Sequence, residues 1–377
     1  MKIGIITKHR IRNYGSFMQA YGLQRTIEKL GHDVEIIDYL YPNPVHNTYV
    51  SIKGRIRHWG NYILKNTLPG RPGMTFEKRY KNCHDKYYHL SKPYPTQQSI
   101  MREPPVYDLY VTGSDQIWRP KFTNGDPVFF ADFAPVGCKR IAFSSSFGCI
   151  DIDAEYVELY KRLLNKFHRI AVREASGVDI VKKLVNKNCD LVIDPSMLLT
   201  ALEWSDMLVA PSQKRKYVLC YGGSNKAYLK YLAHEYADRK GYEVVVMNGT
   251  FFDYFSKNEK HVLDAGPLEW LGWIKNAQAT FIGGSFHGTA FSILFNIPFL
   301  SVLTGNKDHD TRQLSMLNDL GLNGNGIIGG TAVSHGSIDG KLMHIDWSSA
   351  NVKLGNKREE TLRLLRDYID SNITING

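Results

Sequence analysis

The chain has 377 residues, of which 43% are hydrophobic and 22% are charged. These proportions are typical of a globular protein and exclude a wholly disordered one, and at about 150 residues per domain the length predicts two to three domains. The five cysteines are scattered without a C-x-x-C pair, which argues against a zinc or thioredoxin motif and favours reduced thiols in a cytoplasmic protein. The longest apolar stretch, 279–303, is interrupted by polar residues and a proline, so we expect no membrane span.

The net charge of +10 is distributed unevenly. Residues 51–103 contain eleven Lys/Arg and three Asp/Glu, so this segment carries +8 and the remainder +2. Such a segment fits nucleic acid, an anionic polymer, a membrane surface or a solvated face. No nucleic-acid-binding motif accompanies it, so we expect no nucleic-acid partner. Contact with an anionic carrier is favoured: a lipid diphosphate, or the inner face of the cytoplasmic membrane.

The first elements in chain order form a βαβ unit. Lys2–Thr7 is a near-continuous apolar run, which predicts a buried parallel strand. Residues 16–30 carry apolar side chains at spacings of three and four, which predicts a helix. Ser16 with Gln19 indicates a capping box, and Gly31 a C-terminal stop. Val34–Asp38 is the next predicted strand.

Residues 41–105 interrupt this pattern and are interpreted as a basic insertion, after which strands and helices alternate to the C-terminus. In the insertion, helices are predicted at Ile52–Lys65 and Thr75–Tyr88. The further predicted strands are Tyr107–Thr112, Arg140–Phe143, Ile170–Arg173, Leu191–Ile193, Tyr217–Tyr221, Glu243–Met247, Thr280–Gly283 and Phe299–Leu303. The further predicted helices are Tyr156–Phe167, Gly177–Val185, Ala227–Arg239, Leu268–Asn276, Thr289–Phe295, Thr311–Leu320 and Lys357–Ile373, and 321–340 is predicted as loop. The pattern predicts an α/β fold of two Rossmann-like domains, 1–200 and 201–377, facing a cleft.

Ligands of such sheets bind beyond the carboxyl ends of the strands, so the loops there are candidates. Lys8–Ser16 leads into a helix N-terminus and suits an anion or substrate, although an ordinary turn with solvated basic residues is the alternative. In Gly113–Trp118, Asp115 and Gln116 suit a polyol and Trp118 a sugar ring, whereas the alternative is an Asx-turn with a packed Trp.

Two further loops carry charged groups. Arg173 with Glu174 is either an ion pair at the domain seam or a ligand clamp. Gly283–Thr289 places His287 between a strand and a helix, where imidazole can exchange protons or bind an anion. The alternative is a histidine that caps its helix or packs in the seam. Lys307, His309 and Arg312 form a further basic group.

Several of these blocks, in this order, resemble the polysaccharide pyruvyl transferase family. The resemblance covers Lys2 to about Leu320, is thin over 39–105, and is strongest from Ser285 to Phe299. Gly284 stands where Asp is common and Arg119 where Asn is common, which affects substrate detail more than class. The blocks are Asn13–Ser16 with Gln19–Tyr21, Gly113–Trp118, Arg140–Ala142 with Ser146–Gly148, Val172–Glu174 with Gly177–Val178, Asp194–Pro195 with Leu198–Leu199, and Ser285–Thr289 with Phe291–Ile293 and Asn296–Phe299.

The resemblance implies a glycosyltransferase-B-like architecture and transfer of pyruvate from phosphoenolpyruvate to two hydroxyls of a sugar, giving a cyclic ketal. Phosphoenolpyruvate is a co-substrate, and no cofactor or metal is implied. A nucleotide-sugar glycosyltransferase or a non-catalytic saccharide-binding paralogue are the alternatives. The predicted catalytic residues are His287, Arg173 and Asp115; the predicted donor ligands are Arg173, Arg312, Lys307, Ser285, Gly288 and Thr289; and the predicted acceptor ligands are Asn13, Tyr14, Ser16, Ser114, Gln116 and Trp118.

Overall fold

The chain folds into two α/β units, each built on one parallel six-stranded sheet. The computed structural model describes residues 1–40, 52–247, 255–256 and 258–371. The first unit comprises 1–50, 87–199 and 355–377, and the second comprises 51–86 and 200–354. The predicted α/β class and the two Rossmann-like sheets are therefore confirmed, whereas the predicted cleft stays a prediction.

The first sheet has the strand order β2-β1-β3-β4-β5-β6, and every neighbouring pair is parallel. Its central strands are buried on both faces, which explains their near-continuous apolar sequences. The strands are β1 (Lys2–Ile6), β2 (Asp33–Ile36), β3 (Leu109–Thr112), β4 (Lys139–Ser145), β5 (Arg169–Val172) and β6 (Asp190–Leu191).

The second sheet has the order β12-β11-β10-β7-β8-β9, again with parallel pairs throughout. Four of its strands were predicted, and the three-residue strands β9 and β12 were not. The strands are β7 (Tyr217–Gly222), β8 (Glu243–Met247), β9 (Lys260–Val262), β10 (Ala279–Gly283), β11 (Phe299–Leu303) and β12 (Gly326–Ile328).

Helices lie in most of the described connections between parallel strands, which need crossover segments of this kind. The described helices are α1 (Tyr14–Lys29), α2 (Ile52–Thr67), α3 (Pro72–Tyr87), α4 (Gln97–Arg102), α5 (Pro120–Thr123), α6 (Val157–Leu164), α7 (Ala175–Val185), α8 (Ala201–Ser205), α9 (Lys226–Lys240), α10 (Pro267–Lys275), α11 (Phe286–Leu294), α12 (Lys307–Leu320), α13 (His335–Met343) and α14 (Trp347–Asp370). None of the helices in the described ranges is long and apolar enough to cross a membrane.

Each sheet has one point where the strand order reverses. In the first sheet β1 lies between β2 and β3, and in the second sheet β7 lies between β8 and β10. The loops that leave two adjacent strands at such a point diverge to opposite faces and open a crevice, which is where ligands of open α/β sheets bind. The loops at the first switch point are 7–13 and 113–118, and those at the second are 223–225 and 284–285.

The predicted domain limits differ from the structure in two segments. Residues 52–86 of the predicted insertion belong to the second unit, where Arg79 on α3 pairs with Asp264 at 2.8 Å and with Glu269 at 3.2 Å. The C-terminal part of α14 belongs to the first unit because the Tyr368 hydroxyl donates to Ile170 O at 3.0 Å and Lys139 donates to Ile369 O at 2.7 Å. Residues 41–51 lie outside the described residues.

Two smaller sequence predictions are corrected as well. Residues 321–340 are not a loop throughout, because they contain β12 and the start of α13. The terminal helix begins at Trp347, ten residues before the predicted start at Lys357. All five cysteines are free thiols, as predicted.

The close approach of β7 and β10 at the second switch point requires glycine at position 222. Gly222 has a φ of +130°, and a Cβ added there would lie 2.1 Å from the carbonyl oxygen of Gly283. Gly222→Ala should therefore destabilise the second unit by about 2 kcal/mol or more. Its neighbour Gly223 is exposed with no atom within 4 Å of an added Cβ. Gly223→Ala is the control and should change stability by less than about 1 kcal/mol in urea denaturation. Equal midpoints for the two variants would contradict this.

Candidate functional site

A buried arginine organises the carboxyl edge of the first sheet. Arg173 follows β5, and its side chain has no solvent exposure. Its Nη1 pairs with Asp194 and donates to the Ser114 hydroxyl at 3.3 Å. Its Nη2 lies 3.7 Å from Asp115 Oδ1, and its Nε lies 3.8 Å from Glu174 Oε2. Burial lowers the pKa of Arg173, but the carboxylates of Asp194, Asp115 and Glu174 outweigh burial and raise it.

The carboxylates around Arg173 in turn hold the neighbouring loops. Glu174 Oε1 accepts hydrogen bonds from Ser146 Oγ at 3.0 Å, Phe147 N at 2.8 Å and Gly148 N at 3.0 Å. Asp194 Oδ2 accepts from Ser114 Oγ at 2.9 Å. The loops after β3, β4, β5 and β6 are thereby joined through one guanidinium. The structure gives Arg173 a positioning role, because its donors are directed into this network and its side chain is closed to solvent.

The first turn of α1 and the loop after β3 meet at Asp115. Asp115 has a φ of +70°, its Oδ1 accepts from Gln116 N at 2.7 Å, and its Oδ2 accepts from Ser16 Oγ at 2.6 Å. Asn13 caps α1, accepting from Ser16 N at 3.1 Å. The predicted capping box of Ser16 with Gln19 is wrong, because the helix begins two residues earlier and Asn13 supplies the cap.

Only part of the predicted acceptor set is open to solvent. Asn13 is exposed, and the Asp115 side chain is 16% exposed. Trp118 does not offer its ring to a sugar, because it has no exposure, stacks on Phe130 and donates from Nε1 to Phe129 O at 3.0 Å. Four other predicted acceptor ligands are also buried: Tyr14, Ser16, Ser114 and Gln116.

Gln116 differs from the other buried members because its amide is not satisfied. Within the described part of the chain its Nε2 has no hydrogen-bond partner. A Cβ added at Gly148 would lie 2.0 Å from this nitrogen, so glycine is required for the close packing of the two loops. Gln116 thus packs the loop after β3 against the loop after β4.

A second polar cluster at this switch point was not predicted. The Asp38 carboxylate follows β2, and its Oδ1 lies 3.0 Å from His9 Nε2 and accepts from Arg10 Nε at 2.8 Å. The sequence analysis interpreted His9 and Arg10 as part of an anion or substrate loop, with solvated basic side chains as the alternative, and Asp38 as the end of a strand. The missed signal is that parallel β1 and β2 place the ends of both strands side by side.

The second switch point carries His287 at the start of α11. Ser285 is the N-cap, and its Oγ accepts from Gly288 N at 3.2 Å. The His287 ring is 7% exposed and contacts the Phe286 ring edge-on at 5.1 Å between centroids. The Arg312 guanidinium, on α12, lies 5.9 Å from the Phe286 ring centroid. His287 and Arg312 therefore both contact Phe286 beside a helix N-terminus, where the helix dipole favours an anion.

Gly288 and Thr289, two of the predicted donor ligands, use their backbone N–H groups within the start of α11. The Gly288 and Thr289 N–H groups both donate to Ser285, to its Oγ and its carbonyl respectively. The Thr289 hydroxyl is buried and lies 3.1 Å from Ser301 Oγ. A Cβ at Gly288 would lie 2.9 Å from side-chain atoms of Ile282 and Tyr221, so glycine lets α11 approach the sheet. Both residues position the helix.

The start of α12 supplies the remaining predicted donor ligand. Lys307 is the exposed first residue of α12. The buried Asp310 fixes this helix start, because its carboxylate accepts from Thr304 N at 3.0 Å and Gly305 N at 2.8 Å. Lys307 and Arg312 thus both lie on α12 in the second unit, and α12 packs next to α11. Over the described ranges no group of three or more His, Cys, Asp or Glu side chains is arranged to hold a metal ion.

Comparison with known families agrees with the sequence resemblance. Residues 13–306 match the model of the family described as polysaccharide pyruvyl transferase. This match includes the blocks around both switch points. No curated protein matches the chain.

Solved structures with similar folds are distant. UDP-GlcNAc 2-epimerase from Methanocaldococcus jannaschii is 11% identical, with 98% of this chain and 100% of that chain covered and a TM-score of 0.48. The glycosyltransferase SsfS6 from Streptomyces sp. SF2575 is 13% identical, with 97% and 99% covered and a TM-score of 0.42. At these values the fold assignment rests on the two sheets themselves.

The Arg173 network predicts a large loss of stability on substitution. Arg173→Gln leaves the buried carboxylates of Asp194 and Glu174, and the partly exposed one of Asp115, without their cation and should cost about 3–5 kcal/mol. Arg169 lies on the same strand and pairs with Asp367 at the surface. Arg169→Gln is the matched control and should cost less than about 1 kcal/mol. Chemical denaturation measures both, and a loss for Arg173→Gln no larger than the control would contradict the network.

Asp38 predicts a component of acid sensitivity. Burial raises the pKa of Asp38, but the hydrogen bonds from His9 and Arg10 outweigh burial and hold it well below its usual range. A lowered pKa stabilises the fold above the ordinary value of about 3.9, and this contribution is lost as the pH falls below that value. Asp38→Asn should therefore lower the free energy of unfolding at neutral pH. Below about pH 4 the stability of this variant should fall less steeply than that of the wild type. Urea midpoints across pH measure this, and parallel curves for the two proteins would contradict it.

Proposed function

Because the chain belongs to the polysaccharide pyruvyl transferase family, we propose that it transfers a pyruvyl group from phosphoenolpyruvate to two hydroxyls of one sugar residue. The product is a cyclic ketal, and inorganic phosphate is released. The observation that carries the proposal is that His287 and Arg312 both lie against the Phe286 ring at the N-terminus of α11.

The proposed reaction balances without an oxidant or a reductant. Each sugar hydroxyl forms one C–O bond to the central carbon of phosphoenolpyruvate, whose bond to the phosphate oxygen breaks. The two hydroxyls lose one proton each. One proton is added to the methylene carbon, which becomes the methyl group, and one is added to the released phosphate. The protein must therefore bind a compact anion, supply one proton and accept another.

The second unit offers groups suited to the anion. Phosphoenolpyruvate carries a phosphate and a carboxylate, both of which match the planar fork of Arg312. The positive end of the α11 dipole and the exposed Lys307 add to the attraction. His287, at the same helix start, is the group suited to deliver a proton near neutral pH.

The first unit offers groups suited to a polyol. The Asn13 amide can donate, and the Asp115 carboxylate can accept from a sugar hydroxyl and assist its deprotonation. A carboxylate has about four acceptor positions. The hydrogen bonds from the Ser16 hydroxyl and the Gln116 backbone N–H therefore leave positions on the Asp115 carboxylate for a sugar hydroxyl. We propose Asp115 as the base on the acceptor side and Asn13 as an acceptor contact.

Two other functions are tested by the same assay. Incubation with phosphoenolpyruvate and a panel of saccharides, with phosphate release and product mass as readouts, tests the transferase. Turnover with nucleotide-sugars instead of phosphoenolpyruvate would indicate a glycosyltransferase. Saccharide binding without turnover of either donor would indicate a non-catalytic protein.

Substitution of His287 separates proton transfer from folding. His287→Ala should lower turnover by about 10² or more with a nearly unchanged unfolding midpoint. His344 is an exposed histidine after α13 in the same unit, and His344→Ala is the matched control. Steady-state rates with phosphoenolpyruvate measure the effect. Wild-type turnover in a folded His287→Ala protein would remove the catalytic assignment.

Substitution of Arg312 tests the donor site independently. Arg312→Ala should weaken phosphoenolpyruvate binding by about 1.5–3 kcal/mol, the range for charged hydrogen bonds. Arg312→Lys should restore only part of this loss, because lysine lacks the bidentate fork. Titration calorimetry measures the affinity, and an unchanged affinity in Arg312→Ala would contradict the assignment.

A further inference from the structure

Helix α2 presents an exposed apolar face. Ile56, Trp59 and Ile63 are 67%, 62% and 58% exposed. Their spacing of three and four residues places them on one face of the helix. A contiguous exposed patch of large apolar side chains indicates an interaction surface rather than ordinary surface composition.

The charge of the surrounding segment indicates what this surface contacts. Residues 51–76 contain five Lys/Arg and no Asp or Glu. A helix that combines an apolar face bearing Trp with a basic remainder is typical of helices that lie in the interface of a bilayer. Anionic headgroups complement the positive charge, and tryptophan favours the boundary between headgroups and acyl chains.

We infer that α2 binds the surface of an anionic lipid bilayer, with its axis in the membrane plane and Ile56, Trp59 and Ile63 inserted below the headgroups. The helix does not span the bilayer, because its 16 residues reach only about 24 Å against a hydrocarbon core of about 30 Å.

The dimensions of α2 argue against a second copy of the chain as the occupant. A face about 24 Å long and about 10 Å wide buries about 500 Å² over two copies, whereas stable interfaces bury at least about 1,200 Å². Like charges on two copies of 51–76 would also repel each other. A bilayer has no such minimum, because headgroup attraction adds to the insertion of each side chain.

Membrane binding has a consequence for the acceptor. If the proposed transferase acts on a lipid-linked saccharide, α2 would place the protein at the surface that carries it. This consequence rests on the proposed function, whereas binding by α2 does not. Vesicle binding and turnover of free saccharides are therefore measured separately, so that either idea can fail alone.

Co-sedimentation of the full chain with vesicles tests the inference. The protein should bind vesicles of phosphatidylcholine with phosphatidylglycerol and should not bind phosphatidylcholine alone. The triple variant Ile56→Ser, Trp59→Ser, Ile63→Ser should lose at least about tenfold in affinity. The triple variant Val136→Ser, Ile150→Ser, Met343→Ser is the control, since these three side chains are also exposed and apolar. It should bind like the wild type.

Tryptophan fluorescence tests insertion directly. Of the six tryptophans, Trp59 is exposed and the other five are buried or partly buried. Anionic vesicles should shift the emission to shorter wavelength, and brominated lipids should quench it. In Trp59→Phe both changes should disappear while co-sedimentation persists, because phenylalanine preserves the apolar face.

Three results would overturn the inference. The first is equal binding of the wild type and the Ile56/Trp59/Ile63 variant to anionic vesicles. The second is the absence of wild-type binding to any vesicle. The third is a wild-type dimer in analytical ultracentrifugation that this variant converts to monomer without any change in lipid binding, which would assign the face to a second copy.

Discussion

The candidate site of the first unit depends on the ion pairs between the buried Arg173 guanidinium and its three neighbouring carboxylates. A charge without solvent contact is tolerated only if carboxylates surround it, and Asp194, Asp115 and Glu174 do so. Each of these carboxylates also binds a loop or a serine hydroxyl. The guanidinium thus determines where Asp115 lies, although it does not reach solvent itself.

In the second unit the candidate residue His287 is positioned by close backbone packing instead of by charge. Gly222 and Gly283 bring the ends of β7 and β10 into contact, and Gly288 lets α11 pack closely against them. Asp310 holds the loop after β11 through backbone N–H groups. His287 is therefore placed by three glycines and a helix cap rather than by an ion-pair network.

Periodicity predicted most of the architecture, because buried parallel strands and amphipathic helices have strong patterns. The three-residue strands β9 and β12 are too short to show a pattern, and β12 lies within a glycine-rich stretch that resembles a loop. Residues 52–86 and the end of α14 lie in a different unit from the one predicted, because only tertiary contacts such as Arg79 with Asp264 determine their place.

The candidate site was predicted at the level of loops and less well at the level of side chains. Spacing cannot distinguish an exposed Trp118 from a buried one, and burial depends on Phe130 and Phe147, which lie far from it in sequence. For Arg173 the sequence left an ion pair and a clamp open. The structure surrounds its guanidinium with three carboxylates that follow different strands, and spacing along the chain could not show this. The cluster of His9, Arg10 and Asp38 required knowledge that β1 pairs with β2.

Ketal transfer from phosphoenolpyruvate converts the methylene carbon of the donor into a methyl group, so a reaction in D₂O labels the product. Reaction in D₂O with an accepted saccharide should give a product with one ketal carbon, no remaining vinyl group, and one deuterium in each new methyl group, together with one phosphate per product. Mass spectrometry and proton NMR measure these features. Ketal transfer would be contradicted by a product that lacks the added pyruvyl carbons. It would equally be contradicted if phosphoenolpyruvate stayed intact while a nucleotide-sugar was consumed.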